Sequence, residues 1–224
     1  MRGLNDLGIV TALFERGYGD CIATSIENWL ESFPNAQFFV LSPKDMLGQI
    51  PETATPIEAV DPSAYGVCYN YAINFLLSKG IKNFLIVAPY SVPSQWLAGS
   101  LANWVESYDL IGIYKPPRFL HAPFGTTILE LGRLNMDFIY FSGKLAFCAD
   151  FSFKSWNVGT LLIRVRPGGW LIFNALTFGV SVLTLPSHCK PISYLSRNLR
   201  RERFVKNQSQ MLKEQLKEFK GGKR

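Results

Sequence analysis

Among the 224 residues, Asp150 has the setting best suited to proton chemistry. It stands in Phe147-Cys148-Ala149-Asp150-Phe151, and aromatic surroundings of this kind can disfavour the charged form of an acid and suit it to act as a general base. The same setting also suits a buried structural carboxylate. Trp170 follows Gly168-Gly169, so it can stack on a sugar or base face or pack as an ordinary core tryptophan. Glu15, Arg16 and Tyr18 crowd one segment interrupted by Gly17 and Gly19, bringing charges and a hydroxyl that suit a base, a ribose or a diphosphate, or a solvated loop. His121 follows Arg118 in a proline-containing loop. The four cysteines (Cys21, Cys68, Cys148, Cys189) lack Cys-x-x-Cys or Cys/His zinc spacing and read as buried, reduced thiols of a cytosolic protein.

Elements must hold these residues. Residues 7–14 form an apolar run that predicts a buried strand. After it, Ile22, Ile26, Trp29, Leu30 and Phe33 share a helical face, with Asp20 as N-cap and Pro34 as stop. Residues 36–41 predict a second strand ending at Ser42-Pro43-Lys44-Asp45, and residues 57–60 a third. Asp61-Pro62-Ser63 opens a helix in which Val67, Tyr71, Phe75 and Leu76 share a face and which Gly80 closes. Residues 83–87 predict a fourth strand, central in a parallel sheet. This alternation predicts an open α/β sheet with crossover helices, whose ligands gather at the carboxyl ends of the strands: the loops 15–20, 42–45 and 88–93. Further on, 138–141, 145–147, 159–166 and 180–185 read as strands, and 193–219 as an amphipathic helix. The chain thus divides into a domain over 1–192 and a basic helix or tail over 193–224.

The order of these elements, with Tyr69-Asn70 in a helix and Val92-Pro93-Ser94-Gln95-Trp96-Leu97 after the fourth strand, resembles the nucleotide-sugar-binding half of family-2-type glycosyltransferases of the GT-A fold. Asn157-x-Gly159, Gly168-Gly169-Trp170 and Leu185-Pro186-Ser187-His188 resemble the family's distal half. The resemblance implies a GT-A-like, Rossmann-like α/β fold with a mixed, mostly parallel sheet flanked by helices. It implies a UDP- or GDP-sugar donor and a hexosyl- or pentosyltransferase activity. Asp45 stands where the family holds the nucleoside, Asn70 where it has its own Asn, and His188 where it helps bind metal or diphosphate. Asp150 and His188 are the catalytic candidates, and Trp170 with Asn174 the acceptor-side candidates.

The chain departs from the family at the chemistry. Aligned on Pro93 and Trp96-Leu97, the two metal-binding carboxylates fall on Ala88 and Tyr90. Neither supplies the hard carboxylate oxygen that a divalent ion bridging a pyrophosphate prefers. Metal binding by the usual route is therefore not expected, and Tyr90 and Ser91 are candidates to contact a phosphate by hydroxyl. After the Gly-Gly turn there is no acid, only Asn174, which cannot take a proton at neutral pH.

Charge separates the body from the tail. The net charge is +6 and the pI about 9.2, yet ten Lys or Arg against three Glu lie between Arg197 and Arg224. The preceding residues carry 13 basic and 14 acidic side chains, a nearly neutral body. A mean hydropathy of +0.10 and 18% charged residues exclude wholesale disorder. The basic segment can track DNA phosphates, lie on an anionic membrane surface, or pack its apolar stripe on the body. No secretory signal opens the chain, and the uncharged stretch 167–189 is broken by Gly and Pro, so a cytoplasmic place is expected, in a host cell if phage-encoded, or one peripheral to a membrane. Three functions stay open: a bacteriophage-type enzyme glycosylating hydroxymethylated DNA bases without the usual metal, a membrane-surface glycosyltransferase with a lipid-linked or polysaccharide acceptor, and an inactive GT-A-like binding protein.

Overall fold

The computed structural model describes residues 4–14, 19–59, 65–115, 118–121, 127–130, 133–143, 181–186 and 188–195. The chain opens with β1 (Leu7–Ala12), α1 (Gly19–Ser32), β2 (Gln37–Ser42), a 3-10 turn (Lys44–Gln49), β3 (Thr55–Glu58), α2 (Tyr65–Ser78) and β4 (Asn83–Val87). It continues through β5 (Ser91–Pro93), α3 (Leu97–Ser107), β6 (Leu110–Lys115), β7 (Arg118–His121), β8 (Thr127–Glu130), β9 (Arg133–Ser142), β10 (Val182–Leu185) and β11 (Ile192–Tyr194).

Seven strands form one sheet in the order β10-β6-β9-β4-β1-β2-β3, with β5 and β11 pairing separately, as do β7 and β8. The pairs β1/β2, β1/β4, β2/β3 and β10/β6 are parallel. β9 is antiparallel to both β4 and β6, so among the described strands of the large sheet it alone runs against the rest. β4 is central as expected, but parallel on one side only. Strands buried on both faces are mostly apolar: β1 and β4 are buried at every position, with Thr11 and Asn83 their only polar side chains. Leu7, Ile9, Phe38, Val40, Leu85 and Val87 face α1 and α3, whereas Val10, Phe39, Leu41, Phe84 and Ile86 face α2. Phe84 and Phe141, cross-strand partners, stack with centroids 5.1 Å apart.

Three local expectations are corrected. α1 starts at Gly19, so Asp20 falls inside its first turn rather than at the cap. α2 buries Cys68, Tyr69, Ala72, Ile73 and Leu76, while Tyr71 is 48% exposed. That helix is apolar on nearly every side, so spacing alone could not choose its face. The expected helix from Ser193 begins instead as strand, because Ser193 and Tyr194 pair with Val92 and Ser91. The rest of the tail, and the strands expected at 145–147 and 159–166, lie outside the described residues.

The end of α2 is fixed as predicted. Gly80 has φ +81°, and the Gly80 and Ile81 amides donate to the Leu77 and Leu76 carbonyls at 3.0 and 3.1 Å. This left-handed C-terminal motif brings Ile81 against Leu76. Both close over Gly8: a Cβ there would lie 2.6 Å from Leu76 Cδ2 and 2.9 Å from Ile81 Cγ2.

At the sheet edge that carries the amino ends of the parallel strands, Asp109 ties three strands together. Its carboxylate accepts from Ser142 Oγ at 3.0 Å and Ser181 Oγ at 3.1 Å, and it is 5% exposed.

Candidate functional site

β1, β2, β3 and β4 all end at the opposite edge of the sheet, where carbonyls leave the ladder and need new donors. Buried hydroxyls supply them: Thr11 Oγ1 donates to Val87 O at 2.8 Å, and Ser42 Oγ to Leu13 O at 3.2 Å. This carboxyl edge of the strands is where open α/β sheets bind ligands. The start of α1 lies beside the 3-10 turn, since a Cβ on Gly19 would approach Gln49 Oε1 to 2.8 Å. Asp45 is exposed on that turn, directly after β2. Asn70 is half-buried in α2, which must run back from this edge to reach β4.

The loop that follows β4 is the most constrained part of the edge. The Ser91 carbonyl accepts from Ser25 Oγ at 2.6 Å and from Trp29 Nε1 at 2.9 Å, both on α1. Ser91 Oγ donates to Ala88 O at 2.7 Å, and the Ala88 amide to Asp137 O at 3.1 Å. From the other side, β11 clasps β5, the Leu195 amide donates to Tyr90 O at 2.8 Å, and the Tyr194 ring stacks on Tyr90 with centroids 5.5 Å apart. Ser94 bonds to the backbone of Pro191 and Lys190. At about 1 kcal/mol net for each buried bond, these contacts make a rigid platform.

Tyr90 is 1% exposed and Ser91 is buried, so both side chains are spent on packing and on holding the loop. The Ser91 hydroxyl expected at a phosphate donates to the Ala88 carbonyl, and the Tyr90 ring is stacked on Tyr194. A divalent ion held in the family's way does not fit here: Ala88 offers a methyl group, and Tyr90 a ring packed against Tyr194. Among the described residues, no three His, Cys, Asp or Glu side chains gather as a metal-binding group, and no helix is long and apolar enough to cross a membrane. His188 is exposed just beyond β10; Cys21, Cys68 and Cys189 form no disulfide, and of these only Cys68 is buried as expected, Cys21 and Cys189 being partly exposed. Glu15, Arg16, Tyr18, Asp150, Trp170 and Asn174 lie outside the described residues.

Sequence reasoning missed Asp137 and Tyr194. Asp137, half-buried at the ligand edge in β9, accepts from the Tyr194 hydroxyl at 2.9 Å through Oδ2. Its available signal was a lone carboxylate opening the apolar run Phe138-Ile139-Tyr140-Phe141. Nothing in sequence spacing brings Tyr194 to Tyr90, because that contact spans more than a hundred residues.

No protein-family model matches this sequence, and no curated protein is significantly similar to it. The fold is similar to that of the mannosyltransferase PcManGT from Pyrobaculum calidifontis, solved with GDP-Man and Mn2+, at a TM-score of 0.51 and 10% identity. That similarity covers 81% of this chain and 55% of the mannosyltransferase, so the chain spans about half the length of that protein. It is also similar to the inositol-1-phosphate CTP transferase from T. maritima, with a TM-score of 0.50 and 9% identity over 93% of this chain and 97% of that one. At such identities the likeness shows the fold, and the GT-A-like α/β class expected from the sequence is the one observed.

Proposed function

We propose that this protein is a transferase that takes a sugar from a nucleotide-sugar and places it on an acceptor hydroxyl. The observation that carries the reading is the mostly parallel sheet with one reversed strand, β9, set beside a rigid loop at the end of β4. This arrangement has the fold of solved transferases, one of which holds GDP-Man and Mn2+. In this reading Asp45 holds the nucleoside, with Glu15, Arg16, Tyr18 and Asn70 completing the donor site. The diphosphate lies over the platform 88–91, where backbone groups and His188 stabilise the leaving charge in place of an Asp-x-Asp-bound metal. The bond between the anomeric carbon and the phosphate oxygen breaks, the acceptor oxygen bonds to that carbon, and Asp150 takes the hydroxyl proton. Trp170 and Asn174 face the acceptor. Preorganisation of the platform supplies the positioning term.

For the acceptor we propose a hydroxymethylated DNA base, approached through the cationic segment between Arg197 and Arg224 in a cytoplasmic setting. A membrane-borne acceptor would use the same charges. A second reading, an inactive binding protein, is favoured by one observation: Ala88 and Tyr90 stand where the family has carboxylates. Incubation with UDP- and GDP-sugars plus hydroxymethylcytosine DNA or a lipid-linked acceptor separates these readings. Acceptor-dependent release of UDP or GDP, with a glycosylated product, supports transfer; nucleotide binding without release by any pairing supports the inactive reading.

A further inference from the structure

α3 turns one side to the body and leaves the other uncovered. Leu97, Leu101 and Val105 are buried, whereas Trp96, Gly99, Ala102, Asn103 and Glu106 are exposed, and at 3.6 residues per turn these five share one side of the helix. Trp96 is 42% exposed, so much of the stabilisation that burying an indole brings is not realised within the chain. Eight residues separate it from Trp104, a rise of about 12 Å, yet the ring centroids lie 6.0 Å apart with planes at 71°. The two rings therefore lean towards each other along the helix, and Trp104, itself packed on the core, braces Trp96. An indole held this way has little rotamer freedom left to lose when a partner arrives.

Gly99, on the same side one turn further on, points outward independently. Glycine weakens a helix, and it is kept where the backbone needs positive φ or where another group comes close. Gly99 lacks the positive φ of Gly80, and among the described residues no atom lies within 4 Å of a Cβ placed on it. The described chain gives no reason for a glycine there, whereas a second helix packed across that point would.

Charge selects what approaches. No Lys or Arg occurs between 83 and 114, and of the two acids in that span Asp109 is buried. A polyanion or an anionic bilayer finds no cation on this side of α3. A second copy of the chain does fit, because a two-fold pair sets the same patch against itself, where a cationic face would repel and an uncharged one does not. With the two helices antiparallel about a point between Gly99 and Ala102, Glu106 of one copy falls beside Gln95 of the other rather than beside its like. An aromatic anchor in a patch without Lys or Arg also has the composition of an interface core.

We propose that the exposed side of α3 is a homodimer interface, in which Trp96 packs on the helix of a second copy where Gly99 lets the two backbones approach. The interface stands whether or not the nucleotide-sugar reading holds. One helix face falls short of the roughly 800 Å² per partner of a standard interface, so the dimer is reversible, with a Kd on the order of 10 μM. Sedimentation velocity of the full chain from about 1 to about 200 μM tests this. Gly99→Leu fills open space in the monomer, and is expected to melt no lower than wild type while weakening the dimer at least about tenfold. Trp96→Ala is expected to weaken it as much. Tyr71→Ser removes the exposed aromatic of α2 and is expected to leave the Kd within about twofold, as is a rise in salt from about 0.1 to about 0.5 M. A wild type still monomeric at the highest concentration overturns the proposal, as does a dimer that both α3 variants leave intact. Dissociation by salt, or by Tyr71→Ser with the α3 variants unaffected, overturns it by assigning the association to charged segments or to α2.

Discussion

Single side chains at this edge act through geometry that substitutions can isolate. Trp29 reaches from α1 to the Ser91 carbonyl, which also takes the Ser25 hydroxyl. Trp29→Phe keeps much of the ring and removes the donor, and is expected to cost about 1–2 kcal/mol in urea denaturation, because part of the buried volume goes with the bond. Ser25→Ala is expected to cost about 1 kcal/mol. The double variant should lose more than the sum, since the buried carbonyl is then left without either side-chain donor; double-mutant coupling near zero would contradict the shared anchor. Gly8 tests packing in the same way. Gly8→Ala places a methyl against Leu76 and Ile81, and a loss of about 1–3 kcal/mol is expected, read as a lower denaturation midpoint at unchanged slope. At this scale the sequence was partly legible. Ser42-Pro43-Lys44-Asp45 was recognisable as a strand-end loop, whereas Asp137 drew no notice, because a single acid inside a strand, just before an apolar run, has no local pattern to mark it.

Elements in the first half of the chain follow from local rules. β4 occupies residues 83–87 as its apolar run requires, and Gly80 closes α2 because only a residue tolerant of positive φ fits there. Gly80→Ala should therefore cost about 1 kcal/mol despite open space around it, a loss that calorimetric melting would read as a lower Tm. The face of α2 was not legible, since apolar residues surround that helix and the sheet, not the spacing, decides which are covered. β11 was not legible either: Ser193 and Tyr194 sit at the head of an amphipathic pattern, and strand pairing with β5 overrides it. Pairing of this kind depends on a partner distant in sequence, which periodicity does not register. The tie at Asp109 is another such contact. Asp109→Ala strands the buried Ser142 hydroxyl, while the exposed Ser181 turns to water, and should cost about 1–3 kcal/mol, measured by urea denaturation, whereas Ser142→Ala should cost about 1 kcal/mol.

For the whole molecule, charge and fold divide the work. The body is nearly neutral and builds the sheet, while the cations cluster from Arg197 onward. Because β11 and Leu195 clasp the platform, shortening the chain after Leu195 preserves those contacts, and shortening it after Pro191 removes them. If the tail meets an anionic partner, the longer truncation product loses affinity for duplex DNA or anionic vesicles while keeping nucleotide binding. Titration at two salt concentrations reads this as a flattened salt dependence. The shorter product should also lose nucleotide binding. The fold class was legible from strand and helix order because that order follows from local apolar runs; the reversed β9 was not, because direction within a sheet is set by connections. The central claim, that this edge holds a nucleotide-sugar without an Asp-x-Asp metal, is met most directly by thermal unfolding of the full chain with a panel of UDP- and GDP-sugars, in EDTA and with Mn2+. The account predicts that at least one nucleotide-sugar stabilises the protein in EDTA, by about 2.7 kcal/mol at a hundred times its Kd. Failure of every nucleotide and nucleotide-sugar to raise the Tm, with or without Mn2+, would contradict it.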